Sequence, residues 1–233
     1  METQIRTVPT AAAQDAVRAF MQRVYIWMAG GLSLTGVIAY YTSQSPTLIH
    51  TLIQNSWIFF GMMIATLGIV IAMSAMIHRI SATAAGALFI AYAALNGFVF
   101  STIFLVYTME SIAQVFFISA GMFGAMSVYG FVTRRDLTSW GSFLFMGLIG
   151  IIIAMVINIF LKSSTVAYAI SFLGVFIFLG LTAYDTQKLK TMALTNPQQT
   201  NQSEKPAIFG ALALYLDFIN LFLMLLRLFG SRR

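Results

Sequence analysis

Cysteine is absent from this chain, and only seven of its 233 residues are acidic. Without cysteine there is no disulfide framework and no thiolate zinc centre. Charge of either sign is scarce too: 9% of residues are charged, against roughly 25% in an ordinary soluble domain. So few charged side chains cannot cover the surface of a 25.7 kDa globule. The 59% hydrophobic content excludes disorder, which needs the opposite balance, and four prolines are too few for a collagen-like chain. The alternation over about ten residues that marks a membrane β-strand is missing from runs such as Ile149–Val156. What remains is a helical membrane protein. Its formal charge of +6 would point to nucleic acid in a soluble protein. Here it is read as basic loops lying against an anionic leaflet, with the bilayer as partner and no nucleic acid.

A bilayer core requires about 20 consecutive apolar residues per helix. Seven segments meet this: Val24–Tyr41, Trp57–Ile77, Thr83–Tyr107, Ile112–Val132, Ser142–Leu161, Val166–Tyr184 and Ala207–Phe229. The predicted fold is all-α, one polytopic bundle of seven transmembrane helices over residues 1–233. Residues 1–23 are expected as a cytoplasmic tail with no cleavage site, so the first span is read as retained. Residues 186–206 carry Asn196-Pro197-Gln198-Gln199 and Asn201-Gln202-Ser203-Glu204, and by composition are a mobile polar loop. One membrane face collects Arg6, Arg18, Arg23, Arg79, Arg134, Arg135, Lys188, Lys190 and Lys205; the other collects Lys162, Arg232 and Arg233. The positive-inside rule then places the N-terminus in the cytoplasm and, after seven spans, the C-terminus outside.

An acid inside a span costs roughly 2.5–3.5 kcal/mol on insertion scales, so it faces protein or water. Two acids qualify. Asp185 closes the sixth span in Thr182-Ala183-Tyr184-Asp185-Thr186-Gln187, and Asp217 lies within the seventh in Leu214-Tyr215-Leu216-Asp217-Phe218-Ile219-Asn220. Steps of three and four along the seventh span put Gly210, Ala213, Asp217, Asn220, Met224 and Arg227 on one face, a small-and-polar stripe expected to face the bundle interior or a water-lined path. The sixth span carries a matching stripe through Ser171, Gly174, Phe178, Thr182 and Asp185. The acids meet only if the sixth helix runs deeper, or the seventh starts higher, than these boundaries draw them. If they meet, they share one proton and titrate as a unit. Such a pair serves equally as a proton sensor, a cation attractor or a catalytic dyad. Further intramembrane amides, Asn96 and Asn158, join Asn220 and Thr182 as candidates to line a path.

The two aspartate motifs, with Leu221-Phe222 and Leu226-Arg227-Leu228-Phe229-Gly230, resemble the Bax inhibitor family of seven-span proteins in its bacterial branch. The resemblance covers nearly the whole chain. It implies a bundle with the seventh helix central and the other six around it, in a bacterial inner membrane. It also implies a pH-sensitive calcium leak whose sensor is an aspartyl pair, here Asp185 and Asp217, with a basic residue of the second helix as gating partner; Arg79 fits that position.

Other signals carry less. His50 and His78 fall at opposite membrane faces and cannot share a metal, so no metal site and no cofactor are expected. Ala120-Gly121-Met122-Phe123-Gly124-Ala125 is not followed by the Lys-Ser/Thr of a phosphate loop. A retinal Schiff base needs a lysine inside the last span, and Ala207–Phe229 has none. An intramembrane aspartyl protease also pairs Tyr-Asp with a later aspartate, but its Gly-x-Gly is replaced here by Leu214-Tyr215-Leu216, so no enzymatic activity is expected. Two functions from different classes remain: a cation leak, calcium in transit, or an interaction protein that restrains a membrane protease or stress response.

Overall fold

A computed structural model describes residues 11–76 and 79–233; Arg6 and His78 lie outside the described residues. The helices are α1 (Ala11–Gln44), α2 (Pro46–Gln54), α3 (Ser56–Ala75), α4 (Ala82–Phe100), α5 (Ile103–Val106), α6 (Met109–Val132), α7 (Thr138–Leu161), α8 (Ser164–Thr195), α9 (Pro197–Gln202) and α10 (Lys205–Phe229). Seven of the described segments are long and apolar enough to cross a membrane: α1, α3, α4 with α5, α6, α7, α8 and α10. Between α4 and α5 the Ser101 and Thr102 hydroxyls donate to the carbonyls of Phe98 and Val99. Such back-bonding competes with the helix ladder and bends it.

Serine and threonine start several spans. Ser81, Thr108 and Ser163 each accept a backbone N–H three residues on, from Ala84, Ser111 and Val166, satisfying one of the donors that a helix N-terminus leaves unpaired. The turn from α7 to α8 is closed by Lys162, whose φ of 48° is left-handed, with the Asn158 side-chain oxygen accepting the Ser163 N–H.

α10 is the axis. It packs against α8, α1, α6 and α4, while α3 leans on α4 and α7 on α8. Four helices therefore sheathe the seventh span, where the resemblance implied six. The reason lies in side-chain size. Gly31, Gly86, Gly130, Gly174 and Gly210 are buried on the helices facing α10 or on α10 itself. A Cβ at Gly130 would strike the Ala183 backbone of α8, so α6 and α8 meet backbone to backbone there. α3 offers no such face: Trp57, Ile64, Leu67 and Ile71 are all exposed to the surroundings, as suits a helix turned to lipid.

Two expected boundaries give way. The tail assigned to 1–23 is helix from Ala11 onward, and Val17, Phe20, Met21, Val24 and Met28 enter the core at helical spacing. Residues 186–206, expected as a mobile loop, continue α8 to Thr195 and then form α9. Their polar composition sets this helix end apart from the apolar stretch before it.

α10 is one unbroken helix of 25 residues, long and apolar enough to cross a membrane. The C-terminal tail returns to the α5–α6 turn, where Tyr107 bridges to Arg232 and Thr108 N–H donates to the Ser231 carbonyl. Both ends of α10 are thereby fixed, one beside α9 and the other beside Tyr107.

Candidate functional site

The extra length of α8 decides the geometry of the acids. Asp185 lies ten residues before the end of α8 at Thr195, about 15 Å along the axis. Asp217 lies twelve residues after the start of α10 at Lys205, about 18 Å along. The helices run antiparallel from the α9 connection, so the two carboxyls arrive at nearly one level. They interact side chain to side chain. Asp217 is buried, with 5% of its surface exposed, and Asp185 is half-buried. Asp217 Oδ2 is enclosed with no hydrogen-bond donor among the described residues, which is costly in a low-dielectric interior unless a proton or cation takes the place of that donor.

Asp185 forms part of the wall of a cleft of about 670 Å³ that opens at the α9 end. Lys188 and Lys205 line it with Gln199, Thr200 and Ser203, and Ser74 comes from the end of α3. The charge acting on Asp185 is that of Lys188, one turn along the same helix, whose ammonium also lies 5.8 Å from the centre of the Tyr184 ring. α9 forms one wall of the cleft and is tied to α1. Arg23 donates to Glu204 Oε1 at 3.1 Å and to the Thr200 carbonyl at 2.6 Å, and Trp27 Nε1 donates to Glu204 Oε2 at 3.2 Å.

Beyond the acids the bundle is closed. Phe178, Leu221, Met224 and Leu225 are buried between Asp217 and the far end, and Met224 packs on Gly174, where a Cβ would meet its side chain at 2.9 Å. The pair thus has a polar approach from one end and an apolar seal toward the other.

The remaining predicted residues are dispersed. Arg79 is exposed in the turn after α3, with no ion pair to either acid among the described residues; Lys188 occupies the place by Asp185. Thr182 and Asn220 turn their donors onto their own helices, to the carbonyls of Phe178 and Leu216. Asn96 does the same toward Tyr92, and Asn158 serves the α7–α8 turn. None of these four lines the cleft at Asp185. The stripe from Gly210 to Arg227 is not the single interior face either. Leu214, Tyr215 and Leu221 on other faces are fully buried, while Ala213 and Asn220 of the stripe lie with Phe209, Leu216 and Leu223 on a half-buried face that ends at exposed Arg227. Lys188 and the Arg23–Glu204 tie escaped the sequence reading. Lys188 was visible as a cation three residues past an acid, a pair that meets on a helix surface; the tie spans 181 positions and had no local signal.

A seven-span helical bundle with a central last helix and an interior aspartyl pair defines a class of polytopic membrane protein. Residues 17–233 match the family described as "Inhibitor of apoptosis-promoting Bax1", and the chain belongs to that Bax inhibitor family. It is 50% identical over 218 residues to the inner membrane protein YbhL of Escherichia coli K12, covering 93% of each chain. An uncharacterized protein of Deinococcus radiodurans is 46% identical over 218 residues, 94% of this chain and 93% of that one. A third relative, the uncharacterized protein RP147 of Rickettsia prowazekii, is 44% identical over 235 residues, covering 100% of this chain and 98% of its own.

Proposed function

We propose that the protein is a cation leak of the bacterial inner membrane, with calcium the permeant ion, gated by protonation of the Asp185–Asp217 pair. The observation that carries this reading is the enclosed Asp217 carboxyl, its Oδ2 without a donor among the described residues, behind an Asp185 that borders an open cleft. A cation entering that cleft meets acid oxygens at its inner end. Two acids are far short of the six to eight oxygens that hold calcium firmly, so binding there is weak and transient, as conduction requires. A shared proton competes with the cation for the same oxygens and changes the attraction of the pair for Lys188. The closed far half corresponds to the resting state, and conduction requires Phe178, Leu221 and Met224 to part. The reading includes no catalytic step. It keeps the N-terminus cytoplasmic, which puts the cleft on the cytoplasmic side.

The interaction-protein reading rested on two surfaces, the basic N-terminal tail and, as the free polar segment, residues 186–206. That segment is helical and tied to α1 through Glu204, which leaves it less available as a docking peptide. Purified protein in liposomes separates the two. Calcium flux that varies with pH, and loses that variation in Asp217→Asn, supports the leak. No flux at any pH between about 5 and 8, the range in which a shared proton is expected to exchange, overturns it in favour of the interaction protein.

A further inference from the structure

A second cleft, of about 530 Å³, lies at the same end of the bundle between α8 and the α6–α7 loop. Four cations line it, Arg134, Arg135, Lys188 and Lys190, against one acid, Asp136. That acid is already engaged. Asp136 Oδ1 accepts the Thr138 N–H at 2.9 Å, and hydrogen bonds from the Thr138 side chain and backbone hold its carboxyl below the usual range. The loop is fixed to α8 from both sides. Gln187 Nε2 donates to the Arg135 carbonyl, Gln187 Oε1 accepts the Leu137 N–H, both at 2.8 Å, and Lys190 donates to the Phe131 carbonyl at 2.7 Å. The cations are therefore carried on a held frame, where a positive-inside anchor needs only a loose loop.

Beside this cleft, and sharing Arg135, Asp136 and Tyr184 with it, an apolar crevice of about 280 Å³ runs between α6, α7 and α8. Met126 and Leu144 line its depth, and Tyr129 and Trp140, 44% and 58% exposed, stand at its lipid side. A free phosphate would use the basic cleft alone. A basic cleft opening directly into an apolar crevice matches a molecule with an anionic head and a hydrocarbon tail.

We propose that this composite site binds an anionic phospholipid, its phosphate among Arg134, Arg135 and Lys188 and one acyl chain in the α6–α7 crevice. The inference does not rest on ion conduction, although Lys188 lines both clefts.

The test is native mass spectrometry of the delipidated full-length protein mixed with phosphatidylglycerol, phosphatidylcholine or inorganic phosphate. Wild-type protein is expected to retain phosphatidylglycerol in preference to phosphatidylcholine. The double substitution Arg134→Gln with Arg135→Gln should weaken phosphatidylglycerol roughly thirtyfold, as expected for two cations near a headgroup. The charge-matched control Arg18→Gln with Arg79→Gln, on exposed arginines of the same end, should leave it within about twofold of wild type, since a located site ignores distant surface charge. Equal retention of the two lipids overturns the proposal, as does an equal loss in both double variants, which would mean diffuse attraction. Displacement of the lipid by inorganic phosphate at matching concentration also overturns it, since the chain would then contribute nothing. If the Arg134/Arg135 variant does not purify, the lipid preference and the phosphate competition of wild-type protein decide alone.

Discussion

The two halves of the α8–α10 pair are built from one kind of helix but serve opposite ends. Toward α9, Asp185 and Asp217 meet beside a cleft lined by Lys188, Lys205 and hydroxyl side chains. Toward Tyr107, the same two helices bury Phe178, Leu221, Met224 and Leu225, and the C-terminal tail is stitched to the α5–α6 turn. What separates them is the polar end of α8. Its last ten residues stand beyond Asp185, so the half near α9 can hold polar groups with access to water, while the other half has only helix backbone on which to spend its hydroxyls and amides. Under the proposed function, a leak would be limited by the apolar half and sensed in the polar half.

The comparison breaks most visibly at Asp217. Asp217→Asn removes the shared proton, and the change in calcium flux between about pH 5 and 8 should shrink to less than about twofold, measured in liposomes on protein that elutes as wild type. An unchanged pH response would move the sensor elsewhere. Next comes the sealed half. Met224→Ala opens space against Gly174 and should raise flux at every pH while keeping the pH dependence, at a stability cost of about 2 kcal/mol from the cavity. Flux that stays at the wild-type level would show that the seal lies at other side chains.

Smaller effects test the wall of the cleft and the tail. Glu204→Gln loses the ion pair to Arg23, whose side chains are 26% and 45% exposed. Solvent screening holds the cost to about 0.5–1 kcal/mol, so the melting temperature in detergent should fall by a few degrees, and added salt should narrow the gap to wild type. Ser111→Ala removes the acceptor for the Ser231 N–H at 2.9 Å. A single net hydrogen bond is worth about 1 kcal/mol, so a slight loss in melting temperature with unaltered flux is the expected result. A large change in flux would instead make the tail part of the gate.

Much of the fold was legible in the chain. Each of the seven apolar runs overlaps a helix in the structure, because a bilayer demands about 20 apolar residues whatever those residues later touch. Both acids stood out for the same reason: a carboxyl in hydrocarbon is rare enough to need a cause. Helix ends in water were less legible. Ala11–Arg23 and Thr186–Thr195 are polar enough to leave a hydropathy window while still holding helical structure, so the boundaries fell short at both places. Arg79 was chosen by its position relative to a motif, and it lies exposed in a turn; Lys188, three residues from Asp185, had the stronger local geometry.

Composition alone determined that this chain is a membrane protein, with 59% hydrophobic and 9% charged residues, and its unbroken apolar runs determined that the spans are helices and not barrel strands. The number of spans and the presence of two interior acids follow from residue order in the same way, because each depends only on local hydropathy. Which helix became the axis, whether the acids met, and which cation faced them were decided by tertiary packing. Those outcomes depend on how far α8 extends past Asp185, on small residues that let α6 and α8 touch at Gly130, and on a tie from Arg23 to Glu204 across 181 positions. Such contacts are made between distant segments, and no local stretch of sequence contains both partners.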